Sequence, residues 1–526
     1  EAALRATRSG ETTIVPARFE KVWESWLTNL HDWNVSRQLW WGHRIPAWYC
    51  PDGHVTVSAE VAGPGACETC GRGAGELTQD PDIFDTWYSP GLWPFSTRGW
   101  PDQTDDLRRY YPGAVMETGY DIIFFWVARM MMLGIHLTDA VPFGKVYLHG
   151  LVKDPYGKRM SKTKGNVVDP LEAIDTAGAD ALRFALLNGT SPGNDQKFSS
   201  ERLEDARNFA NKLWNATRFV LGARPASIDA ARAAHREAPA MPLLGPAERW
   251  IRSRAAATIE ATDRAFADDN YGEAARLLYE SIWSGFCDRG IELAKVRLAD
   301  AALPDAEREA TWWTLVEALD TYLRLLHPMM PFVTEALWAA LPHAADDPGL
   351  LIVARWPRPG ARDAAVERQL DGLNELVVAI RNARATAGIA ASAWLETHVA
   401  VPGDAFETAA ALAPAIGRLS RARPLHLHHG REDLPRSAGA LEVIAAAGDF
   451  EATIVAAVSG DGAAGDRARL EAELAEAEGY LAAARARLAN EAFTAKAPPS
   501  IVEGARTRAL ELAETVERLR GRFGGQ

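Results

Sequence analysis

Short β-like runs alternate with helical runs between residues 82 and 190, and this alternation limits the possible folds more than any other feature. A β-like run covers residues 145–152, and helical runs cover residues 122–133 and 170–187. Because sheets and helices must bury their apolar faces against one another, such alternation is typical of an α/β layer fold. We therefore predict an α/β domain in the first part of the chain.

The pattern changes after this region. Residues 199–340 carry long amphipathic helical runs, whereas residues 350–460 are Ala-rich with short β-like runs, and residues 460–465 are typical of a linker. A chain of 526 residues has room for three or four domains of about 100–200 residues each. The predicted domains are 1–190 (α/β, with a Cys-containing insertion at 50–75), 191–345 (helical), 346–460 (small α/β module) and 466–526 (helical hairpin).

Composition excludes several classes of protein. Hydrophobic residues make up 47% and charged residues 24% of the chain, which is typical of a folded protein. Four cysteines are too few for a disulfide scaffold, and the net charge of -13 argues against a general nucleic-acid coat. The sequence shows no signal peptide and no apolar run of ~18–20 residues, so we predict a soluble cytoplasmic protein.

The last segment has two runs of apolar residues at 4-3 spacing, separated by Pro498 and Pro499. The runs contain Leu470, Leu474, Ala477, Leu481, Ala484 and Leu488, then Ala505, Ala509, Leu512, Val516 and Leu519. Because the prolines interrupt a continuous helix, the pattern predicts an antiparallel coiled-coil hairpin.

Basic residues predominate near the predicted tip of this hairpin. They are Arg485, Arg487, Lys496, Arg506 and Arg508. An arm with a basic tip suits contact with a phosphate backbone, which predicts nucleic-acid binding. The alternative is a solvated coiled coil that supports a neighbouring element.

The densest cluster of lysines surrounds a small hydroxyl residue. Five of the ten lysines lie between residues 145 and 164, and Lys158, Arg159, Lys162 and Lys164 flank Ser161. Glycines at 157 and 165 allow the segment to close, and the cations can stabilise charge on a polyphosphate. The alternative is a solvated basic turn.

Three cysteines and a histidine have spacing typical of a zinc knuckle. Cys67 and Cys70 form a CxxC pair, Cys50 precedes them, and His54 is the best fourth ligand. Zinc prefers four N or S ligands in a tetrahedron, so we predict a structural zinc site. The alternative is a set of reduced thiols without metal.

Residues 159–163 (RMSKT) resemble the KMSKS loop of the class I aminoacyl-tRNA synthetases, with Arg and Thr replacing the outer Lys and Ser. The resemblance implies that Lys162 stabilises pyrophosphate charge during amino-acid activation, with Lys158 and Arg159 as helpers. It implies ATP binding by Arg159, Met160, Ser161, Lys162 and Thr163, with Mg²⁺ accompanying the ATP.

Longer segments resemble the valyl-tRNA synthetases within that class, in order along nearly the whole chain. They are residues 36–48, 82–96, 117–131, 190–215 and the terminal hairpin. The resemblance implies a partial Rossmann-like catalytic core, followed by an α-helical anticodon-binding bundle opening near residues 207–215. The implied partners are valine, ATP and tRNA(Val), and the implied oligomeric state is a monomer.

The resemblance also assigns the substrate sites. Trp87, Ile122 and Trp126 match the pocket for the valine side chain, and two indoles with a β-branched residue suit a small branched group. Without the resemblance, both tryptophans are ordinary core residues. Isoleucyl enzymes typically have Gln at the position of Ile122, which favours valine and leaves isoleucine as the alternative. Thr118, Gly119, Asp121, His149 and Gly150 match the adenosine-binding strand ends.

Two parts of this family are not found in the sequence. There is no HIGH motif and no inserted editing domain, and the chain begins at Glu1 rather than Met. We therefore expect a C-terminal portion of a longer enzyme that does not activate valine by itself. The alternative is a non-catalytic tRNA-binding protein derived from a synthetase.

Overall fold

The computed structural model describes residues 1–161, 164–434, 440–444, 449–455 and 462–489, together with single positions and short runs between 502 and 520. It divides into two units, Glu1–Glu367 and Arg368–Gln526. Helix α15, given below, contains the boundary between them.

Fourteen strands occur in the described residues. They are β1 (Thr13–Val15), β2 (Ser36–Arg37), β3 (Ala47–Tyr49), β4 (Val55–Val57), β5 (Thr78–Gln79), β6 (Ile83–Phe84), β7 (Gly113–Gly119), β8 (Phe143–His149), β9 (Val152–Lys153), β10 (Gln196–Lys197), β11 (Leu395–Ala400), β12 (Ala422–His428), β13 (Ala440–Ile444) and β14 (Glu451–Val455).

Eighteen α-helices accompany these strands in the described part of the chain. They are α1 (Ala2–Arg8), α2 (Glu20–Thr28), α3 (Tyr88–Ser96), α4 (Asp105–Tyr110), α5 (Arg129–Thr138), α6 (Pro170–Ala177), α7 (Ala179–Leu187), α8 (Ser200–Gly222), α9 (Ala230–Ala233), α10 (Pro246–Ala267), α11 (Tyr271–Glu280), α12 (Ile291–Ala299), α13 (Asp305–Leu326), α14 (Pro331–Trp338), α15 (Ala364–Thr386), α16 (Phe406–Ala411), α17 (Ala413–Ser420) and α18 (Gly462–Ala489).

A three-stranded parallel sheet of order β1-β8-β7 forms the core of the first α/β region. Strand β8 alternates, with Val146 and Leu148 almost fully buried, and the side chains of α5 cover it through Met130 and Met131. The chain passes from β7 through α5 to β8, which is the crossover that parallel pairing requires. The predicted α/β layering of this region is therefore confirmed.

Two predictions about helices are wrong in detail. The run at 170–187 forms two helices, because Gly178 adopts a φ of +92° between α6 and α7. Tyr120–Thr138 is continuous helix, long and apolar enough to span a membrane by length and composition, although no such run was expected. Its residues Ile123, Val127, Met130 and Met131 are buried in the core around β8.

The Cys-containing insertion is a small antiparallel sheet of order β4-β3-β5, and the two-stranded ribbon of β2 and β6 lies beside it in sequence. From residue 200 onward the first unit is helical, around the fully buried aromatic side chains of Trp250, Trp312 and Trp338. Asp320 accepts hydrogen bonds from Trp338 Nε1 at 2.8 Å and Arg324 Nε at 2.9 Å, so this buried carboxylate is satisfied.

The second unit contains a four-stranded sheet of order β12-β11-β14-β13. Strand β11 pairs parallel with β12 and antiparallel with β14. Short β-like runs were predicted for residues 350–460, and the four strands lie within that range. In the terminal segment, Leu474, Ala477 and Leu481 of α18 pack with Leu512 and Val516 of the second predicted run and with Ala513 between them.

Candidate active site

The carboxyl ends of β7 and β8 bring together the residues that the sequence assigned to adenosine. The parallel register pairs Gly119 with His149, and Thr118 is only 4% exposed. His149 Nε2 lies 3.3 Å from a carboxylate oxygen of Glu117. Ligands of open α/β sheets bind at this edge, so the fold gives these side chains a suitable position for a nucleotide.

Gly119 and Asp121 lie close together at this edge. A Cβ atom at Gly119 would stand 2.9 Å from Oδ1 of Asp121 and 3.4 Å from Cε1 of His149. A side chain at 119 would therefore displace both neighbours. The glycine keeps the strand end open for a ligand to approach the backbone.

The KMSKS-like loop reaches this edge through an ion pair. Arg159 Nη2 lies 3.2 Å from Asp121 Oδ2, and the arginine side chain is 73% exposed. Because Asp121 lies in the single helical turn Tyr120–Ile122 that directly follows β7, the pair joins the loop to the strand end. Ile122 is the next residue and is half-buried.

The loop is held by a clamp that the sequence did not predict. One oxygen of Asp154 accepts hydrogen bonds from the backbone N–H groups of Tyr156 and Lys158, and the other accepts from Asn166 Nδ2 at 2.9 Å. Asn166 Oδ1 in turn accepts from the backbone N–H of Ser161 at 2.9 Å. The bonds from Asn166 and Lys158 hold the pKa of Asp154 below its usual value.

The predicted loop residues occupy several environments. Lys158 and Arg159 are exposed, whereas Met160 and Ser161 are half-buried. Lys162 and Thr163 lie outside the described residues. Gly157 and Gly165 both have positive φ, +80° and +63°, so both ends of the loop use backbone conformations that favour glycine.

Asp195 is a second organising residue that the sequence analysis missed. Its carboxylate accepts hydrogen bonds from the backbone N–H of Leu151 at 2.8 Å and from the Tyr120 hydroxyl at 3.2 Å. It also forms an ion pair with Lys153 at 2.6 Å. The hydrogen bond from Lys153 holds the pKa of Asp195 below its usual value. The only sequence signal was the lysine density around residue 153.

Gly150 fits against the segment that contains Asp195. A Cβ atom at this position would lie 1.7 Å from the carbonyl oxygen of Asn194, which no relaxation of a side chain could relieve. The close approach lets β9 pair with β10 immediately beyond it. Glycine at 150 is therefore required by packing as well as by the predicted adenosine site.

The predicted pocket residues lie on two packed elements. Trp87 precedes α3, and Trp126 lies in a π-helical turn, Ile123–Ala128, that leads into α5. Trp126 Nε1 donates to the carbonyl oxygen of Pro90 in α3 at 3.1 Å. Both tryptophans are half-buried, so the two rings do not simply fill the core.

The two indoles do not stack on each other. Trp87 stacks on Phe125, with ring centroids 5.9 Å apart, and Trp126 contacts Trp93 at 6.1 Å. The π-helical turn changes the direction in which successive side chains point, and such turns are frequent at functional sites. No sequence pattern indicates this turn.

A buried carboxylate stabilises the segment that precedes Trp87. Asp85 is 7% exposed and accepts from Trp33 Nε1 at 2.7 Å, and it pairs with Arg37 and Arg129 at 3.0 and 3.4 Å. Arg129 also lies over the ring of Trp33, 3.8 Å from its centroid. These contacts fix the segment before Trp87, and none of these residues was singled out from the sequence.

The predicted zinc ligands converge, and we call Cys50, His54, Cys67 and Cys70 the Cys/His cluster. Their donor atoms all lie within 4.8 Å of one another, with Cys50 Sγ 3.4 Å from His54 Nδ1 and 3.9 Å from Cys70 Sγ. Ligands of one tetrahedral zinc are about 3.3–3.8 Å apart at normal bond lengths. The backbone N–H of Cys70 lowers the pKa of Cys67 to about 6, which favours the thiolate that binds metal.

The basic residues of the terminal arm are only partly described. Arg485 of α18 and Arg506 are exposed. Arg487, Lys496 and Arg508 lie outside the residues whose side chains are described. Arg520 pairs with Glu478 at 2.8 Å, across the apolar contacts of the two runs.

Family models match three parts of the chain. Residues 1–199 match "tRNA synthetases class I (I, L, M and V)", residues 248–399 match "Anticodon-binding domain of tRNA ligase", and residues 464–525 match "Valyl tRNA synthetase tRNA binding arm". The three matches follow the order of the α/β region, the helical region and the terminal arm.

Curated relatives and a solved structure agree with these matches. The valine–tRNA ligase of Dehalococcoides mccartyi is 45% identical over 98% of this chain and 57% of that protein. That of Symbiobacterium thermophilum is 42% identical over 99% of this chain and 58% of that protein. LeuRS of Agrobacterium radiobacter K84, in a ternary complex with tRNA and LeuAMS, gives a TM-score of 0.50 at 18% identity, covering 66% of this chain and 46% of that chain.

The structural likeness confirms the predicted fold class at the level of a Rossmann-like core followed by a helical anticodon domain. The chain spans about 57% of the length of the curated relatives that it matches. The order and extent of these matches show that the chain belongs to the valyl-tRNA synthetase family of class I aminoacyl-tRNA synthetases.

Proposed function

We propose that the protein carrying this chain activates valine with ATP to form valyl-adenylate and transfers the valyl group to tRNA(Val). The observation that carries the proposal is the ion pair between Arg159 and Asp121. It joins the KMSKS-like loop to the strand ends that hold the adenosine-site residues, next to Ile122 of the valine pocket. This contact supports a proposal in which phosphate, nucleoside and amino-acid binding share one edge of the sheet.

In the proposed reaction the loop supplies positive charge to the pyrophosphate that leaves ATP. Lys162 has this role, with Lys158 and Arg159 as helpers, and Mg²⁺ bound with ATP would neutralise further phosphate charge. The clamp of Asp154 and Asn166 fixes the loop on both sides of these cations. Positioning and charge stabilisation are the main contributions a protein makes to such chemistry.

Asp121 is proposed to bind the ribose at the same time as it pairs with Arg159. The pair uses Oδ2, so a ribose hydroxyl would donate to Oδ1, which faces Gly119. Thr118, His149 and Gly150 complete this proposed adenosine site. The arrangement couples the loop position to nucleotide binding, because one carboxylate serves both contacts.

Trp87, Ile122 and Trp126 are proposed to select the side chain of valine. Rigid apolar walls and a β-branched residue favour a short branched group, but an apolar pocket discriminates weakly against threonine. Isoleucine activation is the alternative, and the relatives' names favour valine.

The test is amino-acid-dependent ATP–pyrophosphate exchange by the longest natural protein that contains this chain. Valine is expected to support the fastest exchange, threonine a slower one and isoleucine the slowest. Lys162→Ala is expected to slow exchange at least ~100-fold with little change in the KM for valine. Lys164→Ala, an exposed lysine in the same loop, is the matched control and should retain most activity.

The outcomes separate the alternatives. Faster exchange with isoleucine than with valine would assign the isoleucyl activity instead. No exchange with any amino acid, together with retained binding of tRNA(Val), would favour the non-catalytic tRNA-binding protein. Equal effects of Lys162→Ala and Lys164→Ala would remove Lys162 from its proposed role.

The terminal coiled-coil arm is proposed to bind tRNA(Val) through Arg485, Arg487, Lys496, Arg506 and Arg508, in a monomeric cytoplasmic enzyme. Its support is the match to a tRNA-binding arm and the exposure of Arg485. Arg485→Glu should weaken tRNA(Val) binding and reduce its salt dependence. Arg520→Glu is the control, because it changes the same charge at the paired base of the arm.

The Cys/His cluster is proposed to hold a structural zinc ion. Its support is the convergence of four donor atoms within 4.8 Å in a small antiparallel sheet. A four-ligand site of this kind has no open position for substrate, so the metal would stabilise the insertion rather than act in the reaction.

A further inference from the structure

The second unit contains another group of metal-ligating side chains, on one face of its sheet. Strands β11 and β12 are parallel neighbours, and their register places His398 beside His426. Because side chains alternate along a strand, Glu396 and His398 of β11 share a face with His426 and His428 of β12. The intervening Thr397 and Val399 point to the other face and are 1% and 0% exposed.

Three donor atoms on this face lie at the spacing of ligands to one metal ion. Glu396 Oε1 is 3.3 Å from His398 Nε2 and 3.1 Å from His426 Nε2, and all three donor atoms lie within 4.8 Å of one another. Ligands bound at about 2.0–2.1 Å to one tetrahedral ion are about 3.3 Å apart. We call Glu396, His398 and His426 the Glu/His cluster.

His428 contacts His398 at Nδ1, the ring nitrogen that does not face Glu396. Its Nε2 lies 2.9 Å from Nδ1 of His398, so one of these two nitrogens carries the proton of the hydrogen bond. If Nδ1 of His398 donates, its Nε2 has a lone pair directed towards Glu396 and His426. Metal-binding histidines are commonly oriented by such a bond through the other ring nitrogen.

The cluster is accessible to an ion from solution. The side chains of Glu396 and His426 are 43% and 42% exposed, whereas that of His398 is 15% exposed.

We propose that Glu396, His398 and His426 form a second metal site, which binds a divalent transition ion of the zinc class through two imidazoles and one carboxylate. His428 is a positioning residue for His398. Three protein ligands leave a coordination position for water, unlike the four-ligand Cys/His cluster. The ion would join the parallel strands β11 and β12 across their shared face.

The test is a titration of chelator-stripped protein with Co²⁺, followed by competition with Zn²⁺. The variant Cys67→Ser/Cys70→Ser removes thiolates of the Cys/His cluster, so the remaining site is observed alone. One Co²⁺ per chain is expected, with d–d absorption and no thiolate-to-cobalt charge-transfer band. In the unaltered chain, bound Zn²⁺ should reach two per chain.

Substitutions in the cluster identify the ligands. Glu396→Gln and His398→Ala should each weaken Co²⁺ binding at least ~100-fold, since even loss of second-shell partners costs 10–100-fold. His429→Ala is the matched control, because His429 follows His428 but stacks on Phe406 instead. If His398→Ala does not fold by circular dichroism, His426→Gln replaces it, since this half-exposed side chain contributes less to packing.

Two results would overturn the proposal. One is the lack of saturable Co²⁺ binding in the Cys67→Ser/Cys70→Ser protein when its circular dichroism is unchanged. The other is equal Co²⁺ affinity in this protein with and without Glu396→Gln and His426→Gln. Neither result bears on valine activation, which is measured separately.

Discussion

The Cys/His cluster of the first unit and the Glu/His cluster of the second unit differ in how the chain assembles them. Cys50 and His54 are four residues apart, and Cys67 and Cys70 form a CxxC turn, so tight local loops set the spacing. Glu396 and His426 are 30 residues apart and meet only because β11 pairs with β12 in one register. A ligand set made by short loops can be recognised from spacing, whereas one made by strand pairing requires the fold.

The same contrast occurs within the candidate active site. The clamp of Asp154 and Asn166 joins residues of one loop, whereas Asp195 joins the chain beyond β8 to the segment before α8. Local clamps set the shape of a loop, and long-range contacts set its position. Four variants test the difference between local and long-range contacts.

The largest expected effect is on the local cluster. Cys67→Ser/Cys70→Ser should lower zinc affinity of the Cys/His cluster at least ~1,000-fold, because hydroxyls replace thiolate ligands. Bound zinc should fall by one ion per chain, and limited proteolysis within residues 50–75 should accelerate. The control is Cys287→Ser, since burial raises the pKa of this thiol to about 12 and it lies in another element. Unchanged zinc content in the double variant would contradict the zinc proposal.

The next largest effect is expected at the contact between Gly150 and Asn194, which are distant in sequence. Gly150→Ala should destabilise the first unit by about 2 kcal/mol or more, because its Cβ would overlap the carbonyl oxygen of Asn194. Urea unfolding followed by tryptophan fluorescence measures the change. Gly222→Ala is the matched control, since a Cβ there meets no atom within 4 Å. A similar stability for both variants would show that the segment at Asn194 moves freely.

A smaller effect is expected behind the Glu/His cluster. His428→Ala should weaken Co²⁺ binding about tenfold, because His398 loses the partner that fixes its ring. The measurement is the Co²⁺ titration in the Cys67→Ser/Cys70→Ser protein. An effect as large as that of Glu396→Gln would make His428 a ligand rather than a positioning residue.

The smallest effect is a pH dependence of the local clamp. The pKa of Asp154 is below its usual value in the folded protein, so its ionised form stabilises the loop above the usual pKa. This contribution is lost as the pH falls through the folded pKa. Asp154→Asn should therefore destabilise the loop at pH 7, with the difference from the unaltered protein shrinking towards pH 3.

Hydrogen exchange of the backbone around residues 156–161 measures this difference. Asp175→Asn, which changes an exposed carboxylate of α6, is the control and should leave the exchange unchanged at both pH values. A constant difference between pH 7 and pH 3 would show that the ionised carboxylate of Asp154 is not what holds the loop.

Features with a local cause were predictable from the sequence. Strand β8 and the convergence of Cys50 with Cys70 follow from side-chain periodicity and short-range spacing. Gly178 marks the break between α6 and α7 in the sequence. The apolar periodicity continues on both sides of it, however, and therefore favours a single helix. The local sequence therefore predicts the presence of these elements more reliably than the residues at which they end.

Features that depend on strand pairing or packing were not predictable. Strand β12 contains Pro424 and two histidines, His426 and His428, and it forms a strand through its pairing with β11. The π-helical turn at Ile123–Ala128 contains Phe125, which stacks on Trp87, and a sequence pattern does not indicate the extra residue per turn. Asp195 likewise contacts Tyr120, Leu151 and Lys153, which are distant from it in sequence, so no local pattern indicates these contacts.

The fit of Gly150 against Asn194 has a mechanical consequence. The backbones of Gly150 and Asn194 are already in close contact. A displacement of the strand end at His149 is therefore expected to move the segment before α8 as well. Arg18 holds the same segment from the other side, with its Nη2 2.8 Å from Oδ1 of Asn194. We therefore expect the carboxyl end of β8 and the start of the helical region to move together, because the two segments meet at a residue without a side chain.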